Sequence, residues 1–342
     1  MLRFFKLRSI QIGNGVRVCS TTTQVKLKPE ESTGLPFLNK IIKELAKKNV
    51  QFILPVHDTI AINKIVEPFD ELRKIGVLPE FVLDTCLTDP SFLKLMARDG
   101  AKVVKILDVV SQVTAMTFEN AIRLFCAYKD DLMAVEVKCI EERIQVYINN
   151  GISEGEELRK VVCKCPVILF ANDPPKMAVL AESLINFFTR GQVKAILANS
   201  PQILLSNFEE IEEKYEYIYF HMRIESEEFR LCKSWVDKSI DDIMKRHKFL
   251  LQTGKYVTPD PKRLQLQKEN APLYRILDSN DTIFATQIAG VVPEEWIVYS
   301  DLFDKQKASQ NKDRAFERVK PSVRKAFERR LKHAPARQDF IL

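Results

Sequence analysis

Two stretches, Gly151–Phe170 (GISEGEELRKVVCKCPVILF) and Arg190–Asn207 (RGQVKAILANSPQILLSN), carry one apolar skeleton around a proline, and that skeleton decides the fold. Counted from Pro166, the residues eight, five and four before it and three after it are Leu158, Val161, Val162 and Leu169; from Pro201 they are Val193, Ile196, Leu197 and Leu204. Around Pro90 the set reads Val82, Thr85, Cys86 and Leu93. Around Asp130, which stands where the other three anchors are proline, it reads Ile122, Phe125, Cys126 and Met133. The anchors lie 40, 36 and 35 residues apart. That is the period of stacked helical repeats, in which each unit buries its apolar face only against its neighbours. The expectation is an all-α helical-repeat solenoid.

Within a unit the apolar residues recur at helical spacing. Leu204, Phe208, Ile211, Tyr215 and Ile218 step by four and three, as do Val137, Ile140, Ile144 and Ile148, so each set marks one stripe of a helix. Proline suits a helix start because it lacks the N–H that a first turn leaves unpaired, while the residue before it is driven out of the helical region. Gly76 and Gly151 precede their anchors by 14 and 15 residues, where glycine ends a helix in a left-handed cap. A unit therefore reads helix, turn, helix, bend. A helix is predicted from Leu35 to Val50, an irregular connection at Val257–Pro272, and a last helical pair ending near Phe303.

Charge is divided unevenly along the 342 residues. Residues 1–29 hold six basic side chains and no acid, and residues 305–342 hold twelve basic against four acidic. With a total of +6, these ends leave about −8 for residues 30–304, so any basic surface on the repeats is local. The opening MLRFFKLRSIQIGNGVRVCSTTT interleaves cations with Leu and Phe and is rich in Ser and Thr, the composition of a mitochondrial transit peptide. Residues 1–23 are expected to direct the chain to the matrix, with 24–34 a linker, 35–303 the repeat domain and 304–342 a basic, disordered tail. No run of 18 apolar residues is present.

The apolar pattern before and after the prolines resembles the mitochondrial transcription termination factor (mTERF) family over about residues 60–303. The stretches EKYEYIYFHMRIESEEF (213–229) and DDIMKRHKFLLQTGKYVTPDPK (241–262) are similar to one metazoan subgroup, its fourth factor. The family resemblance implies triads of two α-helices and a short 3₁₀ turn forming a superhelix with a basic, nucleic-acid-binding face. The subgroup resemblance implies partnership with a mitochondrial rRNA cytosine-5 methyltransferase in assembling the large ribosomal subunit. The basic tail departs from that subgroup's acidic end, so contacts made by a tail are not carried over.

Chemistry is sparse. The sequence has no Gly-rich phosphate loop, H-E-x-x-H or G-x-S-x-G motif, and its seven cysteines form no C-x-x-C pair, so neither an enzyme nor a metal or cofactor is expected. Cys163 and Cys165 and the four scattered histidines read as structural, and Glu209, Glu210, Glu212 and Glu213 as a solvated helix face. Eight basic residues recur near inter-helix turns and are candidates to track phosphates along one concave face: Lys160, Lys164, Arg190, Lys194, Arg223, Lys245, Arg246 and Lys248. Any one of them also suits a helix end on dipole grounds alone. For a protein partner the candidates are Tyr256 and the group Trp296, Ile297, Tyr299 and Phe303, with Trp296 the expected anchor, since Trp and Tyr concentrate at interface centres. The sequence thus points to an rRNA-binding adaptor for the methyltransferase. A mitochondrial DNA-binding regulator of transcription, or a protein-only scaffold, remains as an alternative.

Overall fold

Each second helix starts and stops where the sequence places a cap and a bend. Thr189 accepts from the Gln192 amide while the Gln192 side chain accepts from Thr189, a reciprocal box that opens the helix Arg190–Asn199. Thr117 caps Phe118–Ala127 in the same way on one side. At the far end the chain leaves helical geometry at Cys165 and Ser200, and Pro166 and Pro201 then start 3₁₀ turns, Pro166–Leu169 and Pro201–Leu205. The skeleton residues of these two units, from Leu158 to Leu204, are buried.

In the computed structural model, which describes residues 34–47, 59–259 and 269–313, these pieces repeat. The elements are α1 (Gly34–Lys47), α2 (Thr59–Lys74), α3 (Pro79–Thr88), α4 (Pro90–Thr114), α5 (Phe118–Ala127), α6 (Lys129–Ala134), α7 (Val137–Asn149), α8 (Glu156–Lys164), α9 (Pro174–Leu184), α10 (Arg190–Asn199), α11 (Phe208–Glu216), α12 (Ser226–Phe229), α13 (Ile240–Gln252), α14 (Leu273–Asp278), α15 (Asp281–Ile283) and α16 (Pro293–Asp313). The 3₁₀ turns follow α8 and α10, and π-helical turns at Tyr217–Met222 and Phe284–Ala289 continue α11 and α15. α4 is two helices joined at Asp99, whose φ of −135° breaks the helix; Pro90 begins the short closing helix of one unit and Gly100 the long first helix of the next. At Asp130 the closing element is α6, and the acid sits favourably in its first turn.

First helices stack on first helices (α2 on α4, α4 on α7, α7 on α9, α11 on α13) and second on second (α8 on α10, α10 on α12, α12 on α14). The polar bonds between units keep the repeat period: Lys164 Nζ to the Ala198 carbonyl at 2.6 Å, Asn199 to the Arg230 carbonyl at 2.7 Å, Ser200 to the Lys233 carbonyl at 2.9 Å, and Gln202 to Asp237 at 2.9 Å. Nearest-neighbour stacking of this kind is what a solenoid requires.

Five of the first helices also end alike. Gly76, Ala115, Gly151, Arg223 and Gly254 all occupy the left-handed region, with φ between 48° and 95°. After Gly76 and Gly151 the next amide reaches back to close a Schellman cap, Val77 to the Leu72 carbonyl at 3.0 Å and Ile152 to that of Tyr147 at 3.1 Å, and tucks a buried apolar side chain under the turn.

Three expectations change. The Leu204–Ile218 stripe is not one helix: Leu204 lies in the 3₁₀ turn, Asn207 caps a new helix at Phe208, and a π turn begins at Tyr217. The first predicted helix is described as far as Lys47, and its expected last residues, 48–50, lie outside the described residues. The last helix runs to Asp313, so residues 304–313 are not disordered tail; Lys245 binds Asp304 at 2.8 Å, and Lys307 binds Asp241, tying it to α13. Finally, Cys126 and Met133 of the Asp130 skeleton are only half buried. The expected transit peptide (1–23), nearly all of the linker and residues 314–342 of the tail lie outside the described residues.

Candidate nucleic-acid and partner surfaces

Basic side chains in this fold serve two purposes. In four units a cation on the first helix reaches across to a later element of its own unit and donates to main-chain carbonyls there. Lys102 donates to Met133 at 2.8 Å, Arg143 to Asn172 at 2.9 Å and Leu169 at 3.3 Å, and Lys214 to Val236 at 2.5 Å. Arg246 does the same to Ile276 at 2.6 Å and Ser279 at 3.0 Å. Arg143, Lys214 and Arg246 are buried. A short element ends with C=O groups that have no partner within it, and a cation satisfies them with charge-assisted bonds.

This corrects the sequence reading for two of the eight basic candidates. Arg246 is 3% exposed, binds Asp281 at 2.8 Å and lies 4.7 Å from the Phe284 ring centre; burial pushes its pKa down and Asp281 works against that. Lys245 is 7% exposed and bound to Ser300 and Asp304. Neither presents a free charge to a phosphate. Lys248, two residues after Arg246, is exposed and lies 5.4 Å from the Phe303 ring centre.

The remaining candidates do not share one face. Lys160 and Lys164 stand near the end of α8, where second helices give way to the bend. Burial lowers the Lys164 pKa, and the like charges of Lys233 and Lys160 add to it; Lys164 Nζ donates to the Ala198 carbonyl and Ser200 to the Lys233 carbonyl, so Lys164 and Lys233 stand at the same bend. Lys233, absent from the sequence-based set, is the member of this cluster contributed by the segment after α12. Lys160 also bridges to Glu156 at 2.9 Å on the exposed side of α8. Arg190 and Lys194 stand at the opposite end, in the first turns of α10. A second helix of nine or ten residues separates the two edges by roughly 15 Å at 1.5 Å per residue. There they line a cleft of about 600 Å³ with Asn149, Asn150 and Gly151. Lys194 binds Glu157 of the preceding unit at 3.2 Å, leaving Arg190 as the more available charge. Arg223 is exposed at the turn after α11 and pairs with no acid among the described residues.

The partner candidates divide as well. Trp296 is 5% exposed, with its ring centre 4.7 Å from Phe284 and 5.1 Å from Phe249, so it belongs to the core and not to an interface. Tyr256 is 3% exposed and donates to the Met222 carbonyl at 2.7 Å; Phe303 is buried and Tyr299 half buried. These residues follow the inward stripe 296, 299, 303 of α16. Of the group only Ile297 faces out, and with Val298 and Leu302 it forms an apolar stripe in which each side chain is more than half exposed. The signal was present in the sequence, since an i, i+3, i+7 aromatic stripe and its apolar neighbours mark opposite sides of one helix. No group of three or more His, Cys, Asp or Glu able to hold a metal is found among the described residues. No helix among them is long and apolar enough to cross a membrane.

Helix pairs closed by 3₁₀ turns and stacked unit on unit define an α-helical solenoid. The mTERF family model matches residues 21–285, and the chain belongs to that family. It is also 28% identical over 207 residues to a protein of Mus musculus, "Transcription termination factor 4, mitochondrial". That match covers 59% of this chain and 58% of the mouse protein, so the chain spans a little over half the length of this relative.

Proposed function

We propose that this protein is a mitochondrial RNA-binding adaptor, located in the matrix, that binds rRNA and positions an rRNA cytosine-5 methyltransferase during assembly of the large ribosomal subunit. The observation that carries the reading is the presence of two separate surfaces on one rigid scaffold. The Lys160, Lys164 and Lys233 cluster lies on a repeat region whose overall charge is negative, and the apolar stripe Ile297, Val298 and Leu302 lies on the last helix. The cluster offers point charges to a phosphate backbone, which suits RNA read by shape. The stripe offers a desolvated patch to a protein.

The test separates the surfaces. Charge reversal at Lys160, Lys164 and Lys233 is expected to weaken RNA binding across sequences and to flatten its salt dependence, while leaving co-purification of the methyltransferase intact. Ile297→Asp with Leu302→Asp is expected to do the reverse. Loss of neither activity in its matched variant refutes the adaptor reading. The mouse relative's name supports a second reading, a DNA-binding regulator of transcription, which predicts preference for a mitochondrial DNA duplex over rRNA in the same binding assay.

A further inference from the structure

Among the described residues two π turns share one geometry and differ in chemistry. Tyr217–Met222 ends in Arg223 and Phe284–Ala289 ends in Gly290, both left-handed, at φ 59° and 67°. In each, the amide after the left-handed residue reaches back six residues, Ile224 to Ile218 and Val291 to Ala285. Aligned on that residue, the buried positions match: Ile218 with Ala285 and Met222 with Ala289. The exposed positions do not. Where the second turn has Thr286, Gln287 and glycine, the first has Tyr219, Phe220 and arginine. The fold therefore accepts small polar residues and glycine at these three places. The aromatic pair and the cation need another explanation.

Their setting indicates one. Tyr219 is the outer ring of a stack: it lies parallel to Tyr215 at 5.4 Å and 11°, and Tyr215 in turn packs on Phe187, which stacks on Phe208. Phe220 meets Tyr219 edge to face at 5.1 Å and is 52% exposed. Both rings are held by their neighbours and still present area to solvent. Arg223 follows three residues on in a left-handed conformation that residues with a side chain rarely adopt, strain of the kind retained at ligand sites, and π turns are themselves enriched at such sites.

We infer that Tyr219, Phe220 and Arg223 form a platform for unpaired nucleotides of an RNA, the rings stacking on bases and the guanidinium holding the adjoining phosphate. Every base has a π face, so the platform accepts loop or bulge nucleotides with little sequence preference. A stack of rings ending in an exposed ring is extended naturally by another flat ring. A cation with no ion pair among the described residues complements a phosphate and not an apolar protein surface. The inference rests on the RNA-binding reading above.

The experiment transplants the second turn's chemistry into the first. The full-length protein and its Tyr219→Thr, Phe220→Gln double variant are titrated with an RNA hairpin carrying 2-aminopurine in its loop and with a blunt RNA duplex of equal charge. The wild type is expected to quench the 2-aminopurine. The variant is expected to lose the quenching and about tenfold in hairpin affinity, what one base stacked on one ring contributes, with duplex binding unchanged. Arg223→Gly is expected to lower hairpin affinity and its salt slope by about one phosphate contact. Unchanged quenching and affinity in the double variant overturn the platform, as does an equal loss on both RNAs. Loss of methyltransferase co-purification with RNA binding intact overturns it in favour of a protein-binding face. If the double variant fails to fold, Phe220→Gln alone is used, since that ring is the more exposed. A wild type that binds neither RNA contradicts the RNA reading itself and removes the platform with it; a wild type that binds both, with an unaltered variant, contradicts the platform alone.

Discussion

Replacing Arg246 with Met tests whether buried cations of the first helices serve the fold. The guanidinium donates to the carbonyls of Ile276 and Ser279, and Met offers neither bond. The buried Ile276 carbonyl loses a charge-assisted bond at a cost of about 1–3 kcal/mol, and the half-buried Ser279 carbonyl regains water at a smaller cost, so the loss comes to about 2–4 kcal/mol. The ion pair contributes little of that, because the Asp281 side chain is 69% exposed and a pair of that kind is worth at most about 1 kcal/mol. The Met stem keeps part of the packing on Phe284. Arg246→Met should therefore lose several kcal/mol and Asp281→Asn at most about 1 kcal/mol. Urea unfolding followed by tryptophan fluorescence measures both, and Trp296 is well placed to report because Phe284 touches it and the Arg246 guanidinium alike. An Arg246→Met variant within about 1 kcal/mol of wild type, or an Asp281→Asn variant as unstable as it, refutes the carbonyl-capping account.

Trp296→Ala should cost about 3–5 kcal/mol through the cavity it leaves, seen as a lowered melting temperature of the free protein. Gly151→Ala should cost about 1–2 kcal/mol, because φ is 93° and the new Cβ comes 3.5 Å from the Lys194 side chain; a stability equal to wild type would contradict the left-handed cap. His247 is buried between Tyr217 and Tyr256, and burial, with His221 and Lys248 adding like charge, lowers its pKa to about 4. Between about pH 6.5 and 4 the unfolded chain then binds a proton that the folded one does not, so stability falls with falling pH; about 2 kcal/mol is lost by pH 5, and His247→Leu should flatten that slope. Burial raises the Cys86 thiol to about 12, so an alkylating reagent should label exposed Cys163 in the native protein and reach Cys86 only on unfolding.

The repeats were legible because the apolar skeleton answers to burial alone. Leu158, Val161, Ile196 and Leu204 are core residues in the structure for the reason that placed them in the pattern. The basic surface was less legible. Whether a cation is spent depends on carbonyls some thirty residues away, and nothing local distinguishes Arg246, which caps Ile276, from Arg190, which lines a cleft. Trp296 was misplaced because aromatic content was read without helical phase: 296, 299 and 303 face inward together, and the exposed stripe is the one beside them. The π turns had no sequence signal, and it is the paired geometry of Arg223 and Gly290 that sets Tyr219 and Phe220 apart from their counterparts Thr286 and Gln287.

The central claim, an rRNA-binding adaptor, is tested most directly by crosslinking the protein to nucleic acid in intact mitochondria, purifying it under denaturing conditions and sequencing what is attached. The account predicts rRNA of the large subunit, with crosslinks mapping to peptides around Lys160–Lys164 and Tyr219–Arg223. Recovery of mitochondrial DNA fragments in place of rRNA, or of no nucleic acid at all, would contradict it.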